Sequence, residues 1–300
     1  MVSVSNPTSR VIDVLNFLAA HPTDAFTLAE ISAHIGMSGA SAYRVLRTLE
    51  GGSYLSRHPK HKTYTLGMAP VAIGQAALER HRGIEIARRE IARLAAELNL
   101  RLNVDAIVED EMILLAKEGA PQSPTGMQRV GERIPLIAPV GMCMMAWSDD
   151  ARVEAYLGRS RPHVSPQIVE HLRASLPVIR RRGFSLALSG PAMLRTHEVM
   201  TLPLDRRQDA AYWSSLHAFI GAFSAAEFQL LDLEEGGAFD VGYISVPVFC
   251  PSAKPVLELV MTGLPHGLSG TQVRTLAERL CAAGAIVTSE TFGKRPVDHS

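Results

Sequence analysis

Arg44, Arg47, Lys60 and Lys62, together with the hydroxyls of Ser38, Ser41 and Thr48, are spaced to do one kind of chemistry, the gripping of a polyanion. At 100° per residue, Ala40, Arg44, Arg47 and Thr48 fall on one side of a helix, with Ser41 beside them, while Ala42, Val45, Leu46 and Leu49 make an apolar stripe on the other. A helix lying in a major groove needs small or hydrogen-bonding residues where it approaches base edges, and cations or hydroxyls where it meets phosphates. This one has both. A charged but purely structural small domain is the plainer reading, and the order of the surrounding elements argues against it.

Those elements begin at Thr27-Leu28-Ala29-Glu30, a capping-box pattern that predicts a helix start. Leu28, Ile31 and Ile35 recur at helical spacing, and Gly36 provides a residue able to end the helix in the left-handed conformation. Ser38 is the next N-cap, and Gly51-Gly52 closes the second helix. Tyr54-Leu55 and Tyr64-Thr65-Leu66 then read as two short strands around the basic turn Arg57-His58-Pro59-Lys60-His61-Lys62. Such a wing can reach phosphates or the minor groove beside a recognition helix. An amphipathic helix carrying Val11, Ile12, Val14, Leu15 and Leu18, halted near His21-Pro22, should pack behind the pair.

Catalytic chemistry finds little support. No Gly-x-Ser-x-Gly elbow, phosphate-binding glycine loop or His-Glu-x-x-His occurs. His58 and His61 lie in a Pro-Lys turn without nearby cysteines or acids, a poor metal site. Cys143 has methionines and an alanine for neighbours, so nothing close would lower its pKa. No catalytic residue, metal or cofactor is expected.

The 300 residues suit about two domains. A hydrophobic fraction of 47% and a charged fraction of 20% are ordinary for buried cores, and the formal net charge of zero does not by itself suggest a nucleic-acid partner. The local count does: residues 1–67 carry six Lys or Arg against four acids, clustered on the exposed faces. Three widely spaced cysteines argue against a disulfide framework. Without a long apolar run or a signal-peptide pattern, the expectation is a cytoplasmic protein with no membrane partner.

We divide the chain into 1–67, a winged helix-turn-helix; 68–83, a linker helix ended by Gly83 and able to pair with its copy; and 84–300, a ligand-binding and oligomerisation domain. The last should be α+β with a mainly antiparallel sheet. A helix from Ile84 buries Ile84, Ala87, Ile91, Leu94 and Leu98, leaving Arg88, Arg89 and Arg93 as a solvated face. A hairpin follows over 102–117, then a loop over 119–126, a strand over 128–134 and an apolar helix over 142–147. Helices around 150–157 and 166–182 and a strand over 184–188 come next. A helix near 209–223, strands at 241–249 and 255–261, and a helix over 270–287 complete the chain.

Pro139-Val140-Gly141-Met142-Cys143 puts a glycine and polarizable side chains at a helix start, where backbone amides could hold an anion. Tyr243 and Ser245 share one strand face. Together they suit a small, largely apolar organic ligand, although on composition alone ordinary core is the readier account of the methionines.

Arg10-Val11-Ile12-Asp13-Val14-Leu15, Leu28-Ala29-Glu30-Ile31, Tyr43-Arg44-Val45-Leu46-Arg47-Thr48-Leu49-Glu50, Gly52-Ser53-Tyr54-Leu55 and Tyr64-Thr65-Leu66-Gly67 resemble the winged helix-turn-helix of the isocitrate lyase regulator (IclR) family of bacterial transcription factors. The resemblance extends over nearly the whole chain. It implies a palindromic double-stranded DNA operator read by a homodimer or dimer of dimers, with Ser38, Ser41, Tyr43, Arg44, Arg47, Thr48, Lys60 and Lys62 at the DNA. It also implies a small organic effector lined by Pro139, Gly141, Met142, Cys143, Asp240, Tyr243 and Ser245, and repression as the commoner outcome. Ser38-Gly39-Ala40-Ser41 departs from the usual Pro-Lys-Ser-Thr-like run, which shifts phosphate anchoring to Ser41, Arg44 and the wing. Ile137-Ala138-Pro139, Gly141-Met142 and Tyr243 replace polar groups usual in the family, implying a more apolar effector or none. Two other readings stay open: a sensor or enzyme-like domain fused to a winged-helix interaction module, and a DNA-binding dimer without an effector.

Overall fold

Local capping decides where the first helices begin and end. The computed structural model describes residues 7–119, 129–160, 164–191, 199 and 210–296. After α1 (Pro7–Ala20) and a short β1 (Phe26–Thr27), the Thr27 hydroxyl accepts the Glu30 amide at 3.3 Å, while the Thr27 amide donates to the Glu30 carboxylate at 2.7 Å. That reciprocal pair starts α2 (Leu28–Ile35), which Gly36 ends at φ +64°. Ser38 caps α3 (Gly39–Gly51) by accepting from the Ser41 amide. β2 (Leu55–Arg57) and β3 (Thr63–Leu66) pair antiparallel, with β1 on the far side of β3. Val14, Leu18, Ile31, Leu46, Leu55 and Tyr64 form the core of this small unit. The Arg10 guanidinium donates to the Ile35 carbonyl, so α1 satisfies an orphan acceptor at the end of α2.

α4 (Ala69–Arg80) buries no residue, and the chain turns at His81 rather than at Gly83, which lies in the first turn of α5 (Arg82–Leu98). A glycine one residue into a helix does not stop it when its neighbours propagate the hydrogen-bonding pattern. The chain divides here into two compact units, the second formed by most of residues 82–296.

The second unit is organised on a six-stranded sheet in the order β6-β5-β4-β10-β9-β7, every pair antiparallel. Its strands are β4 (Arg101–Val108), β5 (Glu111–Glu118), β6 (Arg133–Pro135), β7 (Ser185–Leu188), β9 (Val241–Phe249) and β10 (Pro255–Thr262). A separate ribbon pairs β8 (Ala238–Phe239) with β11 (Leu268–Ser269). Of the expected strand over 128–134 only Arg133 and Ile134 lie in β6, and the expected loop over 119–126 falls, after Gly119, outside the described residues.

One face of the sheet is apolar. Leu102, Val104, Leu259, Met261, Ile244, Val246 and Val248 pack beneath Ala87, Ile91 and Leu94 of α5 and Val273, Ala277, Leu280, Ala283 and Val287 of α11 (Gly270–Glu290). Arg88, Arg89 and Arg93 on the outer side of α5 are held in ion pairs with Glu118, with Glu90 and Glu290, and with Glu90 and Glu97. The other face is covered by α6 (Met142–Met145), which contacts α7 (Asp150–Ser160) and α8 (Pro166–Arg182). α9 (Ala210–Gly221) and α10 (Ala225–Phe228) complete the described helices.

Gly141 precedes α6 at φ +81°, and a Cβ there would stand 2.5 Å from Leu136 Cδ1. Gly141→Ala should therefore cost about 1–3 kcal/mol, read as a lowered midpoint in denaturant unfolding of the full chain.

Candidate DNA-binding surface and sheet-face site

The candidate reading surface of the first unit is laid out by α3 and the wing. Ala42, Leu46 and Leu49 are buried, and the opposite side presents Ala40, Tyr43, Arg44, Arg47 and Thr48 to solvent, with Ser41 half-buried. Arg47 is drawn to Glu50 at 3.3 Å, and the Thr48 hydroxyl donates to the Arg44 carbonyl, so both are partly engaged within the helix. Arg44, Lys60 and Lys62 make no ion pair among the described residues, in contrast to the arginines of α5. Ser38 and Ser41 join hydroxyl to hydroxyl at 3.0 Å. Ser38, Ser41, Arg44 and Thr48, with Thr8, Arg10 and Gly36, border a cleft of about 510 Å³ between α1 and the start of α3.

The wing tip is ordered by an imidazole. Nδ1 of His58 accepts the amides of Lys60 and His61, at 3.2 and 3.1 Å, and the His58 and His61 rings lie 4.6 Å apart. Behind the tip the Arg57 guanidinium stands over the Tyr64 ring. The lysine ammonium groups are left exposed on a braced turn.

In the second unit α6 lies on β9 and β10, and Met142, Cys143, Met144 and Met145 are all buried. Cys143 donates to the Ser245 carbonyl at 3.5 Å, and burial pushes its thiol well above the usual range, which leaves it inert as a nucleophile. Pro139 and Gly141 are buried beside it, in the turn that launches α6. The anion site expected at this helix start lacks support: one turn of helix has little dipole, and the Met142 amide already bonds the Pro139 carbonyl at 3.3 Å. Tyr243 and Ser245 do share a sheet face, whereas Asp240 does not join them. Its carboxylate accepts from the Gly267 amide at 2.8 Å and meets His266 at 3.2 Å, turned toward the β8–β11 ribbon.

The sheet itself contributes residues that no sequence motif marks. Strand pairing aligns Asp105 with Glu258 and Glu258 with Pro247, and in the next non-apolar rank Asn103 with Val260 and Val260 with Ser245. Paired residues in an antiparallel sheet point the same way. Arg101, Asn103, Asp105, Glu258, Thr262 and Ser245 thus lie on one face, each buried. Asp105 Oδ1, Glu258 Oε2, Asn103 Oδ1 and Ser245 Oγ have no hydrogen-bond partner among the described residues. Burial raises the Glu258 carboxyl to about 7, tempered by the nearby Ser245 hydroxyl, which does not complete a hydrogen bond of normal geometry. Burial, and then the adjacent Glu258, also push Asp105 well above the carboxylate range, against the pull of Arg101. Against the expectation of a largely apolar lining, α6 offers apolar side chains while the sheet face beneath it is polar. Polar residues at period two look solvent-facing in a sequence, and here helices cover them.

Two sequence families match this chain. Residues 7–59 match the IclR helix-turn-helix domain, and residues 75–189 match the bacterial transcriptional regulator IclR C-terminal domain. The chain belongs to the IclR family. This regulator is 26% identical over 185 residues to the HTH-type transcriptional regulator KdgR of Escherichia coli, spanning 59% of this chain and 69% of that protein. A KdgR of Dickeya chrysanthemi is 25% identical, with 59% of this chain and 60% of the relative covered. The match to the latter therefore leaves about two fifths of it unspanned. Among solved structures, an IclR transcriptional regulator from Alicyclobacillus acidocaldarius has a TM-score of 0.66 at 20% identity, covering 95% of this chain and 98% of the other. An IclR homologue from Microbacterium hydrocarbonoxydans complexed with 4-hydroxybenzoate has a TM-score of 0.65 at 17% identity, covering 95% and 99%. The family match makes this regulator a DNA-binding transcription factor with an N-terminal helix-turn-helix and a C-terminal domain on an antiparallel sheet. Its curated relatives are regulators rather than enzymes. None of its described helices is long and apolar enough to cross a membrane.

A carboxyl whose folded pKa is raised stabilises the fold fully below its ordinary value and loses that contribution as pH rises through the folded one. For Glu258 the window runs from 4.5 to about 7. Glu258→Gln should accordingly gain stability over the parent across that window, on the order of 3 kcal/mol at its upper end, and level off above it. Melting temperature against pH for the two proteins checks this.

Proposed function

We propose that this regulator represses transcription in the cytoplasm by binding a palindromic operator as a homodimer or dimer of dimers, and that a small organic effector held in the second unit alters that affinity. The observation that carries the DNA-binding surface is the set of exposed cations that make no ion pair among the described residues, Arg44 on α3 and Lys60 and Lys62 on the wing. Ser41 and Arg44 contact bases or the phosphates beside them, Ser38, Tyr43 and Thr48 line the same face, and Arg47, Lys60 and Lys62 hold the backbone. Repression is supported by a relative named DNA-binding transcriptional repressor YiaJ, 25% identical over 191 residues. The effector is supported by the buried, unsatisfied face under α6, with Met142, Cys143, Tyr243 and Ser245 beside it, and by the neighbour that was solved with 4-hydroxybenzoate. An effector acts by the difference in its affinity for two states of the dimer.

Self-association is supported by α4, where Met68 before the helix and Val71 and Ile73 within it expose apolar side chains. Two-fold symmetry sets half-sites about 34 Å apart or a multiple of that.

Selection of bound duplexes from a random library at two salt concentrations should recover an inverted repeat; recovery of no motif would refute sequence-specific dimeric reading. On the selected duplex, Arg44→Ala should weaken binding by about 1–3 kcal/mol and relax one base position. Lys60→Ala with Lys62→Ala should weaken all sequences alike and lower the salt slope by about two. In sedimentation, Ile73→Glu should shift dimer toward monomer without lowering the melting temperature of the monomer; an unchanged distribution would remove α4 from the interface.

A further inference from the structure

We propose that the effector of this regulator is an organic cation, an ammonium or amidinium group seated on the sheet face between Asp105, Glu258, Asn103 and Ser245 under α6. This rests on the effector reading given above and narrows it to a chemical class.

Four oxygens from three adjacent strands are buried, turned to one side of the sheet and without a hydrogen-bond partner among the described residues. All four can accept, and only the serine hydroxyl can also donate when the carboxylates are ionised. Buried acceptors left unmade are uncommon in native proteins and call for a missing partner. The missing partner must be rich in N–H groups. Asn103 and Ser245 carry no charge, so their unmet acceptors point to a ligand independently of the acid pair.

Charge selects the sign. Asp105 and Glu258 occupy directly opposed positions on β4 and β10, where side chains stand about 5 Å apart at Cβ. Arg101 is the nearest cation on the same face, but the Glu132 carboxylate acts on it more strongly than Asp105 does. Arg182 of α8 donates through Nε and Nη1 to the carbonyls of Phe184 and Leu230 and leaves Nη2 without a partner among the described residues, and its charge acts on Tyr243 rather than on Glu258. When ionised, Asp105 and Glu258 place two negative charges on one face against only the partial pull of Arg101, and a carboxylate ligand would add a third. The wall is organic in character. Met142 and Cys143 of α6 are soft and apolar, and the Tyr156 and Tyr243 rings lie near enough to Glu258 for its charge to reach both hydroxyls. A hydrated metal ion would need oxygen donors converging from several directions, whereas these four rise from one sheet.

The test uses the full-length regulator and thermal denaturation with four probes: benzylamine, benzyl alcohol, benzoate and magnesium chloride. Benzylamine should raise the melting temperature in a concentration-dependent manner, because a ligand of the native state alone stabilises it. Benzyl alcohol and benzoate should not. Glu258→Gln and Asp105→Asn keep shape while removing charge, and each should weaken benzylamine about tenfold or more. Ser245→Ala with Asn103→Ala, which leaves both acids in place, should weaken it as well and covers the case in which an amide variant misfolds. Stabilisation by benzoate overturns the cationic class and leaves the effector reading standing. Stabilisation by magnesium that disappears in Glu258→Gln assigns the face to a metal and overturns the organic ligand. A flat response to every probe, in protein that binds its selected operator, overturns the proposal while leaving DNA recognition intact.

Discussion

The second unit depends on a sheet that is buried on both sides, with alternation along each strand sending unlike residues to its two faces. Registry between β4, β10 and β9 brings Leu102, Val104, Leu259, Met261 and Val246 together under α5 and α11. The same registry lifts Asn103, Asp105, Glu258 and Ser245 to the opposite side as a matter of parity. A one-residue slip would carry carboxylates into the apolar core and hydrocarbon under α6, so the register that fixes the core also fixes the polar face. The cost of that face, about 1–3 kcal/mol for each unsatisfied buried acceptor, is offset by the area buried on the other.

The two units treat charge in opposite ways. In the second, cations are matched locally: Arg88 with Glu118, Arg89 with Glu290, Arg159 with Asp110, Arg173 with Glu154, Arg279 with Glu97. Pairing of this kind at the surface contributes little to stability, and it weakens the field that these arginines present to a polyanion. In the first, acids are few near α3 and the wing, so Arg44 and the two lysines project an unbalanced potential. Zero net charge over the whole chain conceals this partition.

Legibility followed the locality of the signal. Capping residues act within one turn, so Thr27, Glu30, Gly36 and Ser38 could be read directly, and the apolar periods of α3, α5 and α11 gave the buried stripes. Tyr243 and Ser245 were placed on one face by strand parity. What failed needed non-local knowledge. Asn103 and Asp105 alternate with Leu102 and Val104 in a way that reads as a wet strand face, and only the layer formed by α6, α7 and α8 makes it dry. Glu258 stood inside an apolar strand as an apparent exception, and its partner Asp105 lies some 150 residues earlier. The end of α4 at His81 rather than Gly83 was missed because glycine permits a break without requiring one. Asp240 was assigned by resemblance, and its two contacts with His266 and Gly267 come from a turn that no local pattern announces.

His58 gives the wing a property beyond charge. By accepting two main-chain amides with one ring nitrogen, it fixes the backbone of the turn that carries Lys60 and Lys62, including Lys62 in its left-handed conformation at φ +57°. A floppy basic loop would lose conformational freedom on meeting a duplex, and that loss would subtract from every phosphate contact it made. Here the ordering is completed during folding. The wing meets DNA as a rigid tooth, and the geometry of the groove, as well as its negative potential, is thereby made part of what the protein can discriminate.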